Sequence, residues 1–324
     1  MLAEFRSLGG IAENISLKDG RFGRGLFAQD PAKPIRILIP EALLVEVKHI
    51  EFTDNKFRVG SASNIEPRGK AFLENYEQEF SWGPGQSHIA NLLQMLDATP
   101  SELRKLLQTP FHLDRWLVKP SPRAVQQRFL TSRCISYKGR DVIMPIVELA
   151  NHGYASQYDM EGGVGLSGTF PDEILVRYAV CDPLEIFDRW GFASEGETFA
   201  LSLQMALKNL NLLVGRRPLK IAKERKPFFP DVSMDGNLLR QSYMLLGHRN
   251  FPRLPRGNFY QVMRDAGRSD AEEAFDAIQH VNRMQFYRLL QLCELAEPGL
   301  RGLLRNLARC QLEAMSHSVG TRDV

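Results

Sequence analysis

The order in which strand-like and helix-like stretches follow one another most constrains the fold. Residues 1–60 alternate apolar and polar side chains in short runs broken by glycines, which is typical of strands and turns. Residues 64–130 space their apolar side chains three and four apart, which indicates helices. Strand patterns return at 131–192, and apolar stripes after about residue 197 predict helices to the end. Because regular βαβ alternation is absent, this order predicts an α+β domain with a helical insert, followed by an all-α C-terminal domain.

Length and composition set the domain organisation. A chain of 324 residues is long enough for about two domains, and 44% hydrophobic with 24% charged residues is ordinary for a globular protein. We predict a first domain at 1–205, with its insert at about 61–130, and a helical C-terminal domain at 206–324. A basic segment that contains prolines, 215–231, is the predicted linker. The net charge of +3 is too small to indicate direct binding of nucleic acid or of a membrane surface.

The cysteine pattern and the absence of several common motifs narrow the chemistry. The four cysteines are far apart and form no CxxC pair, so we expect no metal site and a reducing compartment. We find no signal-peptide pattern and no apolar run of about 20 residues, so we expect a cytoplasmic protein. We also expect a monomer. No P-loop, HExxH, GxSxG or GxGxxG sequence is present.

Three separated segments fit one pattern together. They are GRGLFAQDPAKPIRILIPEALL at 23–44, LTSRCISYKGRDVIMPIVELANHG at 130–153 and EILVRYAVCDPLEIFDRWGFA at 173–193. In order and spacing this set resembles the SET-domain methyltransferases, in particular the branch typified by Rubisco large-subunit lysine methyltransferase. The resemblance covers about residues 8–205. The matching residues are Gly25, Leu26, Ala28, Ser132, Arg133, Pro145, Leu149, Asn151, His152, Tyr178, Glu185, Gly191 and Phe192.

The resemblance implies a SET-domain β-fold in which the Asn-His segment and the later tyrosine segment form a pseudoknot beside an S-adenosylmethionine pocket. Asn151 would lie near the amino-acid moiety of the cofactor, and His152 would approach the adenine mainly through its backbone. Arg133 would hold the cofactor carboxylate with its planar donor fork. The implied cofactor-binding residues are Arg24, Gly25, Leu26, Arg133, Asn151 and His152.

The implied activity is in-line transfer of a methyl group to a neutral lysine amine in a narrow channel. Tyr178 takes the place of the catalytic tyrosine, and Trp190 and Phe192 are expected as aromatic channel walls. The sequence departs from the family pattern at Glu148, Ala179 and Trp190, and the last change removes a hydroxyl from the expected channel. These departures bear on the type of substrate and on the number of methyl groups transferred.

Three functional interpretations remain at this point. The first is a protein-lysine N-methyltransferase whose C-terminal domain holds a protein substrate, with the basic linker facing an acidic or ribosome-associated surface. The second is a SET enzyme that methylates a protein histidine or a small-molecule amine. The third is a non-catalytic interaction protein that keeps the SET fold.

Overall fold

A computed structural model describes residues 1–216 and 228–318, and the chain divides into two compact units. The first unit comprises Met1–Asn91 and Lys119–Ala179. The second comprises Leu92–Val118 and Val180–Val324. Both units contain helices and strands, so the described fold is mixed α+β, as the sequence predicts.

The first unit is built mainly from short strands. They are β1 Ile11–Glu13, β2 Ile15–Gly20, β3 Gly23–Ala28, β4 Ile35–Pro40, β5 Val45–Glu46, β6 Ile50–Thr53, β7 Lys56–Val59, β8 Cys134–Tyr137, β9 Arg140–Ile143, β10 Asn151–His152, β11 Gly163–Gly168 and β12 Leu175–Val176. The helices that lie wholly in this unit are α1 Leu2–Ser7, α2 Pro67–Phe80 and α5 Pro122–Arg133. The predicted order of strands, helices and strands is therefore confirmed up to residue 176.

Strand β4 is the central strand of one of the two three-stranded sheets of the first unit. It lies between β1 and β11 and pairs antiparallel with both. Ile35, Ile37 and Ile39 are at most 2% exposed, whereas Arg36 between them is exposed. This alternation follows from the two-residue period of a strand, which sends every second side chain into the core. The remaining strands of the unit form the hairpins β2–β3 and β6–β7, the sheet β5–β9–β8 and the parallel pair β10–β12.

The second unit holds the remaining helices and a second set of strands. Helix α3, Trp82–Asp97, begins in the first unit and ends in the second. The other helices are α4 Ser101–Gln108, α6 Pro183–Trp190, α7 Leu254–Asp265, α8 Ala271–Leu292 and α9 Pro298–Ser316. The strands are β13 Phe199–Leu201, β14 Met205–Leu207, β15 Leu212–Val214, β16 Val232–Asp235, β17 Leu238–Gln241 and β18 Leu245–His248.

The prediction of an all-α C-terminal domain at 206–324 is wrong for its first part, because strands β14 to β18 lie among the described residues between 205 and 248. Strand β13 lies in 198–215, where the sequence pattern also predicted a helix. Strand β15 pairs antiparallel with β14 and parallel with β17. Short apolar runs in 198–215 fit a helical or an extended period, and periodicity alone does not separate the two. Asn211 adopts φ +43°, which a regular helix does not contain. The helical prediction is confirmed for α7, α8 and α9.

Helix α6 begins and ends with specific caps. The Asp182 side chain accepts a hydrogen bond from the backbone N–H of Glu185, and Pro183 occupies the first helical turn. Gly191 ends the helix at φ +76°, where its N–H donates to the Phe187 carbonyl. A Cβ at Gly191 would come within 2.9 Å of Trp116. Gly191 therefore has a structural role that is independent of any motif.

The described part of the chain bears on two sequence predictions. Within residues 1–216 and 228–318, none of the helices combines the length and the hydrophobicity needed to span a bilayer. In the same ranges, His, Cys, Asp and Glu side chains form no group of three or more that is placed to hold a metal ion. Most of the predicted basic linker at 215–231 lies outside the described residues.

Candidate functional site

The first component of the candidate site is the hairpin formed by β2 and β3. Lys18 pairs with Gly25 and Asp19 with Arg24, and a tight turn follows between Gly20 and Gly23. Gly23 adopts φ +89°, which glycine accepts without steric cost. The Arg24 guanidinium lies 3.8 Å from the Asp19 carboxylate and is 42% exposed, so this side chain is an outer group of the hairpin.

The second component is the parallel pairing of β10 with β12. Asn151 pairs with Leu175 and His152 with Val176, and the Gly153 N–H donates to the Val176 carbonyl over 3.0 Å. Two segments that lie more than 20 residues apart in the sequence are therefore neighbours, as the resemblance implies. The threading that defines a pseudoknot stays a prediction.

Asn151 connects the two components. Its Nδ2 donates to Glu173 Oε1 over 2.6 Å and lies 3.4 Å from the Arg24 carbonyl oxygen. A Cβ on Gly25 would lie 2.5 Å from Glu173 Oε1 and 2.8 Å from Asn151 Nδ2. A side chain at position 25 would therefore displace the two partners of this hydrogen bond. Leu26, the next residue of β3, is buried and its carbonyl accepts from the Ile174 N–H over 2.8 Å.

Tyr178 lies beside His152, two residues after the end of β12. The ring centroids of the two residues are 5.1 Å apart, and the Tyr178 N–H donates to His152 Nδ1 over 3.4 Å. The Tyr178 hydroxyl donates to the Ala150 carbonyl over 3.0 Å. Desolvation, and then the nearby charges of Glu148 and Glu173, raise the pKa of Tyr178 to about 12, against an opposing effect of Arg133. The phenol therefore stays protonated at neutral pH.

Arg133 ends α5 and reaches the segment that precedes Asn151. Its Nη1 donates to the Glu148 carbonyl oxygen over 2.9 Å and lies 4.0 Å from the Glu148 carboxylate. The Arg133 side chain is 31% exposed, whereas that of Glu148 is 1% exposed. Glu148 is therefore a buried carboxylate beneath a guanidinium that solvent reaches.

A buried acid pair, which sequence reasoning missed, lies behind Arg133. Glu77 of α2 and Glu148 are both almost completely buried, and their carboxylate oxygens have no hydrogen-bond partner among the described residues. Desolvation raises the pKa of Glu77 well above its usual range, and the neighbouring Glu148 raises it further. Desolvation also raises the pKa of Glu148, against the lowering effect of Arg133. This part of the site therefore retains a proton at pH values where exposed glutamates are ionised.

Two further residues belong to the site and were not predicted. Glu173 is the hydrogen-bond partner of Asn151. Burial raises the pKa of Tyr158 well above its usual range, and the nearby Tyr178 and Glu148 raise it further against Arg133. Glu173 begins the third sequence segment but is not one of its matching residues, because its hydrogen bond with Asn151 depends on tertiary pairing. Glu77 did have a signal, since it follows Phe72, Leu73 and Tyr76 on the apolar stripe of α2.

The expected channel residues lie in the second unit. Trp190 is the last residue of α6, and the Arg189 guanidinium carbon lies 5.6 Å from the centroid of its ring. Phe192 follows the helix cap and is partly buried. The other predicted site residues, from Arg24 to Tyr178, all lie in the first unit. The role of Trp190 and Phe192 as channel walls stays a prediction.

Comparisons with known proteins add no assignment to this geometry. A scan against protein-family models finds none that matches the chain, and a search of curated proteins finds no significantly similar sequence. The functional argument therefore depends on the residues and contacts of the site.

Proposed function

We propose that this protein is an S-adenosylmethionine-dependent protein-lysine N-methyltransferase. The observation that carries the proposal is the pairing of β10 with β12, which places Asn151 against Glu173 and the Arg24–Gly25 backbone, and His152 against Tyr178. Five of these residues are among those that the three sequence segments nominate, and Glu173 is the addition.

The donors and acceptors of the site fit the amino-acid end of the cofactor. That end carries an ammonium and a carboxylate. Glu173 and the Arg24 carbonyl offer acceptors to the ammonium, on the same side as Asn151. Arg133 retains N–H donors beyond the one bound to the Glu148 carbonyl, and these suit a carboxylate. Gly25 has no Cβ, so the Glu173 carboxylate and the Asn151 amide pack directly against its backbone.

The cofactor supplies an activated methyl group, so the protein must align it with a neutral amine. Tyr178 directs its O–H toward the Ala150 carbonyl, and the phenol oxygen is an atom type that can accept an N–H from the incoming amine. The raised pKa of Tyr178 keeps the phenol from acting as a base at neutral pH. We therefore assign Tyr178 to orientation of the amine. Desolvation beside a cationic cofactor would favour the uncharged form of the lysine.

The proposed substrate is a lysine of a protein, recognised with the help of residues from about 206 onward and of an acidic or ribosome-associated surface. We expect the reaction to take place in the cytoplasm, without direct contact with nucleic acid. Trp190 and Phe192 are the proposed aromatic walls around the lysine side chain.

Calorimetric titration with S-adenosylmethionine, followed by incubation with methyl-labelled cofactor and cell extract, tests the proposal. We expect cofactor binding to the folded protein in the presence of a metal chelator, and a labelled protein in which mass spectrometry locates the methyl group on lysine. Failure of the folded protein to bind the cofactor would overturn the proposal. A label on histidine or on a small amine would replace lysine as the acceptor, and cofactor binding without any methylated product would favour an interaction protein.

A further inference from the structure

A cavity of about 290 Å³ lies within the second unit, and none of the candidate-site residues lines it. Helix α8 supplies one wall, α7 contributes Arg256, and Ser318 follows the end of α9. The lining residues are Arg256, Phe275, Asp276, Gln279, His280, Arg283 and Ser318. This volume is at the small end of the range for ligand pockets, so a metabolite-sized molecule is the largest occupant that fits.

The cavity carries an excess of positive charge. Arg256 donates to Asp276 Oδ1 over 2.7 Å and to the Tyr260 hydroxyl over 3.1 Å, and its guanidinium lies 4.5 Å from the centroid of the Phe275 ring. Arg283 has no ion-pair partner among the residues that the structure describes. The lining therefore has one carboxylate for two guanidinium groups, and the carboxylate of a ligand would pair with the second guanidinium.

Several buried polar atoms around the cavity remain unsatisfied. Arg256 Nε and Ser318 Oγ have no hydrogen-bond partner within residues 1–216 and 228–318, and both can donate. Gln279 is 8% exposed and its Nε2 donates to the Leu246 carbonyl over 2.5 Å. That contact identifies the other atom of the amide, Oε1, as an acceptor, and Oε1 has no donor in the same part of the chain. Buried groups of this kind cost free energy unless a ligand or water satisfies them.

We propose that this cavity binds a small carboxylate that carries an N–H or O–H donor on the carbon next to the carboxylate. Arg283, Arg256 Nε and Ser318 Oγ surround the carboxylate. Gln279 Oε1, together with Asp276, accepts from the neighbouring amino or hydroxyl group. Phe275 is fully buried, and its ring packs against the Arg256 guanidinium. A site of this size and charge is independent of methyl transfer and gives the second unit a ligand of its own.

Three five-carbon acids that differ only beside the carboxylate test the proposal on the full chain. They are norvaline with an amino group, 2-hydroxypentanoate with a hydroxyl, and pentanoate with neither. Ligand-detected NMR and calorimetry at millimolar concentrations measure binding. We expect norvaline or 2-hydroxypentanoate to bind at least about tenfold more tightly than pentanoate, since a lost partner leaves the buried Gln279 Oε1 unsatisfied. The preferred acid of the first two identifies the donor as an amino group or a hydroxyl.

Two arginines on α8 provide a matched pair of variants. Arg283→Gln should weaken binding of the preferred acid at least about tenfold, whereas Arg288→Gln, at an exposed position outside the cavity, should leave it unchanged. If Arg283→Gln fails to fold, Ser318→Ala replaces it as the test. This variant removes one donor without altering charge and should weaken binding of the preferred acid. Absence of binding by both substituted acids, equal affinity for all three acids, or an equal effect of Arg283→Gln and Arg288→Gln would overturn the proposal.

Discussion

Asn151 Nδ2 donates to Glu173 Oε1 over 2.6 Å across the parallel pair β10–β12. The contact fixes the orientation of the Asn151 amide, because the nitrogen must face the carboxylate. It also places an anionic group beside the Arg24 carbonyl and the Cβ-free face of Gly25. A carboxylate in this position distinguishes the site from an ordinary strand end, since it can accept a second hydrogen bond from a cationic ligand.

Glu173→Gln tests whether this carboxylate binds the cofactor. The oxygen of the substituted amide can still accept from Asn151, but the negative charge opposite an ammonium is lost. We expect S-adenosylmethionine to bind about tenfold more weakly or worse, on the scale of one charge-assisted hydrogen bond, with little change in melting temperature. Calorimetry provides the measurement. Asp172→Asn removes the same charge from the exposed adjacent residue and should retain wild-type affinity. Equal affinities for the two variants would contradict a role for Glu173.

Tyr178→Phe tests the proposed orientation of the amine. The change keeps the ring beside His152 and removes only the hydroxyl that donates to the Ala150 carbonyl. We expect cofactor affinity to stay close to wild type while turnover falls about 10²-fold or more, a barrier increase of roughly 2.7 kcal/mol or more. Single-turnover methylation of the identified substrate, with thermal melts alongside, measures both effects.

A second buried tyrosine serves as the control for Tyr178. Tyr137 of β8 is 2% exposed and donates to Glu41 Oε1 over 2.8 Å, so Tyr137→Phe also deletes a hydrogen-bonded hydroxyl from the first unit. That variant should keep wild-type turnover. If Tyr178→Phe turns over as fast as Tyr137→Phe, Tyr178 has no part in the reaction.

The sequence predicted the elements of the first unit well and the contacts of its site only in part. Periodicity identified β4 and α2, since the burial of each follows its own repeat. The resemblance nominated Asn151 and His152. It did not reveal Glu173, because the hydrogen bond from Asn151 joins residues 22 positions apart and depends on strand pairing. Residues 198–215 were wrongly predicted to be helical for a related reason. The spacing of their apolar residues fits either a helix or a strand, and the pairing of β13 with β18 and of β15 with β17 decides for strands.

Glu77→Gln tests the buried acid pair through its effect on stability. Burial raises the pKa of Glu77 and of Glu148, so above the unfolded glutamate value of about 4.3 the folded state binds more protons than the unfolded state. The free energy of unfolding must then fall as pH rises through the region above about 4.3. Glutamine stays neutral and removes one of the two charges. We expect Glu77→Gln to be more stable than wild type at about pH 8 and to show a shallower decline between about pH 5 and 8.

Urea unfolding at a series of pH values measures this slope. The groups that act on Glu77 are Glu148, Ser81, Arg133, the backbone of Trp82, and Tyr76 on the same helix. Glu79→Gln, exposed on α2, removes the same formal charge and should keep the wild-type slope. A wild-type slope in Glu77→Gln would show that Glu77 does not contribute to the pH dependence.

Asp182→Ala tests the buried network that supports α6 in the second unit. Asp182 is fully buried, lies 2.5 Å from the Arg216 guanidinium, and accepts from Gln311 Nε2 and from the Leu201 and Glu185 N–H groups. Its removal deletes a helix cap and leaves a largely buried guanidinium without its carboxylate, so we expect a loss of about 3–5 kcal/mol in the free energy of unfolding. Asp235→Ala breaks the exposed pair with Arg240 and should cost less than about 1 kcal/mol. Denaturant titration measures both, and equal small losses would mean that the Asp182 network contributes no more than a surface ion pair.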